Sequence, residues 1–272
     1  MPEGASTGEI VAQVIAHLPV DKVYSDLIAP PAQAVGTGLS EVIKLLFLPA
    51  QVLNILGQSK VQSLESELAE RAKKIPADRL QQPPLYISGP VVQSMAFSED
   101  APELRKLYMN LLLKAMDSET VREAHPAYTE VIKQLSPDEA RIVSLVKAET
   151  GFPAVTVRSF LNRTAVAHSE YNDILRLYSG LAVKSDCEYP EMESLYIDNL
   201  TRLGFFTVSP TESLTGTGIY EEIFAHQEVQ EAMVFAQQLT DRETHVVRRL
   251  IVVTEFARRF YQACVASDEQ SA

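Results

Sequence analysis

KIPADRLQQPPLYISGPVVQSMAFSEDAPELRKLYMNLLLKAMDSETVREAHPAYTEVIKQLSPDEARIVSLV, residues 74–146, is the stretch whose reading decides the fold class. From Glu103 to Met116 the apolar positions Leu104, Leu107, Tyr108, Leu111, Leu112 and Ala115 recur at the spacing of one wide helix face. Asp100 with Glu103, and Ser136 with Glu139, stand three apart ahead of apolar runs. Both pairs read as capping boxes, in which side chains satisfy first-turn amides that have no partner in the helix. Pro137 suits a first turn, where its missing N–H costs nothing. Between the two boxes, His125-Pro126 opens a third helix with Tyr128, Val131, Ile132 and Leu135 on its apolar side. These are packing signals, and no catalytic group is arranged among them.

Working towards the N-terminus, Gln58 to Lys74 reads as a charged helix with Val61, Leu64, Leu68 and Ala72 on one side, braced by Glu67–Arg71 and Glu70–Lys74 pairs. Gln81 to Ser88 reads as an extended connector, with Gly89-Pro90 starting the next helix and Val91, Val92, Met95 and Ala96 inward. Leu39 to Gly57 is the most apolar segment, but Lys44, Pro49, Gln51 and Asn54 interrupt it, and a spanning helix needs about 20 apolar residues. It reads as a core helix kinked at Pro49. Its run Leu45, Leu46, Phe47 and Leu48 is the candidate contact for a membrane or a partner helix. Ile10, Val11, Val14, Ile15 and Leu18 form a short amphipathic helix, and the Gly36-Thr37-Gly38 pair lacks the further residues of a phosphate loop.

Past Val146, Thr150-Gly151-Phe152-Pro153 breaks the helix. Val157, Phe160 and Leu161 then suggest a new helix, and Tyr171, Ile174, Leu175 and Tyr178 another. Met192, Leu195, Tyr196, Leu200 and Leu203 share a helical face, Gly204 sits at its C-cap, and Phe205 to Val208 reads as a strand. Arg249 to Val253 reads as a second strand, leading to Thr254 and a helix carrying Phe256, Phe260 and Cys264. A helix ending in Leu-Gly, a strand, a loop, a strand and a Thr-led helix resemble a winged-helix domain. The intervening segment, Thr211 to Glu243, is longer than a usual wing and carries a helix of its own at Val229, Ala232, Met233 and Ala236.

The chain has 272 residues, 24 basic and 36 acidic side chains, and a net charge of −12. That excess opposes general affinity for phosphate backbones or anionic lipid. Asp186 to Leu203, where a winged helix would read DNA, offers Asp186, Glu188, Glu191, Glu193 and Asp198 against Arg202 alone. Cys187 and Cys264 make no disulfide framework and suit a reducing cytoplasm, and with no basic region followed by an apolar core and a small-residue cleavage site no secretory signal is expected. His17, His125, His168, His226 and His245 lie far apart with no metal-binding partner at helical spacing, and adjacent His168-Ser169-Glu170 do not face one another. No catalytic, cofactor or metal site is indicated, so the protein is expected to be no enzyme and to need no cofactor.

Several motifs carry a resemblance to the Abi-alpha (abortive infection alpha) family of bacterial proteins. They are KIP at 74–76, QQPPLYISGPVVQSM at 81–95, ELRKLYMNLLLKAMD at 103–117 and, most specific, AHPAYTEVIKQLSPDEARI at 124–142. VYSDLIAPPAQAVGTGL at 23–39 and VVTEFARRFYQAC at 252–264 fit the family's opening and close. The resemblance implies a mostly helical protein linked to phage exclusion, and supplies no chemistry. The expected architecture is mainly α: a multi-helix domain over 1–135, then a winged-helix-like α/β domain over 136–272 with a small antiparallel sheet. The expected function is a cytoplasmic, non-enzymatic phage-defence protein working through contacts with a protein partner or with itself. The alternatives are a membrane-acting effector using 39–57 and a DNA-binding regulator using the C-terminal domain.

Overall fold

The computed structural model describes residues 39, 40, 42–44, 46, 58–95, 97–147, 149–161, 171–209, 211–215, 218–239 and 242–266. The expectations at 10–18, at 36–38 and at His168-Ser169-Glu170 lie outside them. The described part is helix-rich, with a small antiparallel four-stranded sheet towards the C-terminus. The helical residues 39, 40, 42–44 and 46 include the buried Val42, Ile43 and Leu46.

Helix α1 (Gln58–Ala72) buries Val61, Leu64, Leu68 and Ala72, the face its spacing predicts. Glu67 pairs with Arg71 and also with Arg105, and the exposed Glu70 pairs with Lys73. Helix α2 (Leu85–Met95) starts earlier than Gly89-Pro90 and holds Pro90 inside it. The carbonyl of Pro84 accepts the Ile87 and Ser88 amides, so the first turn closes before the proline is reached.

Helix α3 (Pro102–Met116) corrects one capping box. Its N-cap is Ala101, with no side-chain cap, because Pro102 opens the helix and the Glu103 carboxylate is taken by Arg141 at 2.6 and 2.9 Å. Helix α4 (Ala127–Ile132) begins as read, with His125 Nδ1 accepting the Ala127 amide at 3.1 Å. Helix α5 (Pro137–Val143) has the capping box intact. Ser136 Oγ accepts the Glu139 amide at 3.2 Å and Glu139 Oε2 accepts the Ser136 amide at 2.7 Å.

The next two segments are strands, not helices. Strand β1 (Gly151–Leu161) pairs antiparallel with β2 (Tyr171–Tyr178) on one side. On its other side it pairs with β4 (Arg242–Val253), in unbroken register from Gly151↔Val252 to Leu161↔Arg242. β4 is thus much longer than the expected 249–253, and also pairs with β3 (Phe206–Ser209), giving the order β2-β1-β4-β3. Both faces of the sheet are covered. Phe152, Ala154, Phe206, Ile251 and Val253 join the large core built with the helices, which runs from Val42 to Cys264. Val155, Val157 and Tyr178 face a second core with Tyr220, Ile223, Val229, Ala232 and Ala236. That second layer is the helical insertion anticipated in the long loop.

Two short helices, α6 (Leu181–Lys184) and α7 (Glu193–Arg202), lead into β3, joined by a 3-10 turn at Pro190–Met192. Gly204 stands at φ 86° after α7, and the Phe205 amide bonds back to the Leu200 carbonyl, as a glycine C-cap predicts. Between β3 and β4 lie α8 (Glu221–Phe224) and α9 (Gln227–Gln238). Thr254 caps α10 (Glu255–Phe260), and Asn110 of α3 fastens the turn after it by donating to the Cys264 carbonyl at 2.9 Å.

Candidate functional site

Two buried carboxylates organise the surface between β2 and β3. Asp138, in the first turn of α5, accepts the amides of Glu188 (2.8 Å) and Tyr189 (3.0 Å) and the Tyr196 hydroxyl (2.8 Å). Arg141 closes the same carboxylate at 3.1 Å and also donates to the Asp186 carbonyl at 2.9 Å. Glu193, 2 % exposed, reaches under the β2–α6 junction, where it accepts the amides of Ser179, Gly180 and Ala182 and the Ser179 hydroxyl at 2.5–3.1 Å. A buried carboxylate is tolerated only with such partners, so these two side chains fix the backbone of 179–189.

Above this frame the chain turns apolar groups outward. Val183, Tyr189, Met192 and Leu195 are 45, 53, 42 and 56 % exposed. Met192 and Leu195 were expected on the buried face of α7, which instead carries Glu193, Tyr196, Ile197 and Leu200. The buried face is rotated because Glu193 is drawn inward by the Ser179, Gly180 and Ala182 amides, and Met192 and Leu195 turn out. Of the five carboxylates of this segment, Glu193 is inside and Asp198 grips Arg176 of β2 at 2.5 and 2.7 Å. Asp186, Glu188 and Glu191 remain exposed around the apolar strip.

Beside Glu193 lies a second polar group. The Tyr178 hydroxyl is 2.8 Å from His226 Nδ1 and donates to Glu228 Oε2 at 3.0 Å. One phenol proton cannot serve both neighbours, so with Glu228 as its acceptor His226 donates from Nδ1. Burial first, and Glu228 second, push the Tyr178 phenol far above its ordinary range. Both thiols are likewise pushed up, Cys264 by burial and Cys187 mainly so, which is the opposite of nucleophile activation. Among the described residues no group of three or more His, Cys, Asp and Glu side chains is placed to hold a metal.

Of the run proposed to touch a membrane or a partner helix, Leu46 is buried in the large core, while Leu45, Phe47 and Leu48 lie outside the described residues. Among the described residues no helix is long and apolar enough to cross a membrane. Asp138 and Glu193 were not legible as a pair. Each stands in a first helical turn, where an acidic residue is ordinary, and apart from Arg141 the donors of Asp138 come from 50 to 58 positions away.

Comparison with known proteins adds a family and little else. The family model described as abortive infection alpha matches residues 57–264. No curated protein matches. Among solved structures the chain is similar to an uncharacterised protein from the hydrocarbon-degrading marine bacterium Alcanivorax borkumensis SK2. The two are 18 % identical over 52 % of this chain and 96 % of the other, with a TM-score of 0.35.

Proposed function

The chain belongs to the abortive infection alpha family, and from that premise we propose a cytoplasmic, non-enzymatic phage-defence protein that acts by protein contact. One observation carries the contact mode: Tyr189, Met192 and Leu195 are held outward over a backbone fixed by Asp138 and Glu193. Clustered exposed apolar groups rimmed by polar ones mark interaction sites. The α7–β3–β4–α10 segment is read as winged-helix-like, with protein in place of DNA as its ligand. The exposed carboxylates on and before α7 would repel phosphates.

The test is phage plating with host survival, in cells expressing the protein at low level. Wild type is expected to lower plating efficiency while infected cells die, and Leu195→Asp to lose both effects while keeping the wild-type circular dichroism spectrum. Full protection by Leu195→Asp would remove this surface from the mechanism. No protection by wild type against a broad phage panel would defeat the functional reading itself.

A further inference from the structure

Resting on that contact reading, we infer that the 183–195 surface takes a cationic amphipathic helix of another protein, its large apolar side chains seated on Tyr189, Met192 and Leu195. Those three residues recur every third position across the Pro190–Met192 turn and the first turn of α7. An amphipathic helix presents anchors at matching three- and four-residue intervals. Val183 extends the strip from α6, which packs beside the same turn.

Charge selects the occupant. Asp186, Glu188 and Glu191 are exposed in this segment, and Lys184 is the one basic residue between 181 and 195. None of the three carboxylates forms an ion pair with a described residue, whereas Asp198, just beyond the strip, is matched by Arg176. Nucleic acid and anionic lipid carry the wrong sign. A second copy docking through the same face would set these carboxylates against their own equivalents, because a two-fold interface apposes one patch with itself. Lys and Arg flanking apolar anchors satisfy both features together. Asp138 and Glu193 already hold the backbone beneath the strip, so little ordering remains to oppose binding.

The experiment uses the full chain and a fluorescein-labelled Leu/Lys amphipathic peptide about five helical turns long, with a Leu/Glu peptide of the same length as control. Fluorescence anisotropy should show the Leu/Lys peptide binding with an affinity that falls as salt rises, and the Leu/Glu peptide not binding. Met192→Ser with Leu195→Ser, and separately Glu188→Lys with Glu191→Lys, should each weaken binding about tenfold or more. All four side chains are exposed, so both variants should keep the wild-type melting temperature. Equal binding to wild type and variants, or none to wild type, overturns the inference. Self-association of wild type that the Met192/Leu195 variant abolishes in sedimentation velocity also overturns it, in favour of a second copy. Loss of phage protection in that variant, with no Leu/Lys peptide binding by wild type, would refute the partner chemistry and leave the contact reading standing. Unchanged protection would refute the contact reading.

Discussion

At Asp138, burial pushes the carboxyl up, while the Glu188 amide, the Tyr196 hydroxyl, the Tyr189 amide and Arg141 pull it down and prevail, so it ionises below the ordinary range. Asp117 behaves alike: burial opposes, and the bonds from Arg79 and the Glu119 amide outweigh it. A carboxyl lowered in the folded state contributes stability that is complete above its unfolded value of about 4 and lost as pH falls through the lowered value. Glu193 runs the other way. Burial outweighs its four donors and raises it, so the folded state holds this proton more tightly. Its contribution is therefore greatest below about pH 4 and declines as pH rises through the raised value. Asp138→Asn should cost about 1–3 kcal/mol at neutral pH, by weakening acceptors for buried donors, and should flatten the acid limb of urea midpoint against pH. Glu193→Gln should cost a similar amount, about 1–3 kcal/mol, and remove the decline above pH 4. An acid limb unchanged in Asp138→Asn would contradict this assignment.

Strand β2 shows why an element can be misread. Tyr171, Ile174, Leu175 and Tyr178 have helical spacing, but the β1–β2 register slips between Val155↔Tyr178 and Val157↔Leu175. The extra residue there lets Leu177 adopt φ 51° and puts the apolar positions out of a period of two. β1 hides its alternation differently. Ala154, Val155, Thr156 and Val157 are all buried, because the sheet is covered on both faces. The junction after β2 depends on Gly180, which stands at φ 72°, and a Cβ there would lie 3.0 Å from His226 Cε1. Gly180→Ala is expected to destabilise by about 1–3 kcal/mol, from left-handed backbone strain and displacement of the imidazole. A thermal melt within a degree or so of wild type, a shift far below that expected for such a loss, would show that the junction tolerates a side chain.

For the described chain beyond residue 39, the larger core draws on Val42, on α1 to α5, on one face of the sheet and on Phe260 and Cys264 together. Elements that share one core lose it together, so urea unfolding should show a single transition. With 10 tyrosines and no tryptophan, tyrosine fluorescence is the tertiary probe, and its midpoint should coincide with that of far-UV circular dichroism. Cys264 is fully buried and Cys187 only partly, so a thiol-reactive dye should label Cys187 first and Cys264 only as the protein unfolds. Early labelling of Cys264, or two separated transitions, would mean that the helical and sheet portions open independently.

Local chemistry was readable from the sequence. The Ser136–Glu139 box, the His125-Pro126 helix start, the Gly204 cap and the Thr254 cap each depend on partners within a few residues, and the buried face of α1 shows in its local apolar spacing. The family motifs and the acidic balance were readable for the same reason, being properties of the chain itself. Only the tertiary structure made strands of 151–161 and 171–178, turned Met192 and Leu195 outward, and joined Asp138 to amides 50 residues away. Strand pairing and carboxylate burial are contracts between distant segments. Their energy comes from donors and apolar faces that sequence spacing does not bring together, and a two-sided sheet with a bulge erases the periodicity that would have announced it.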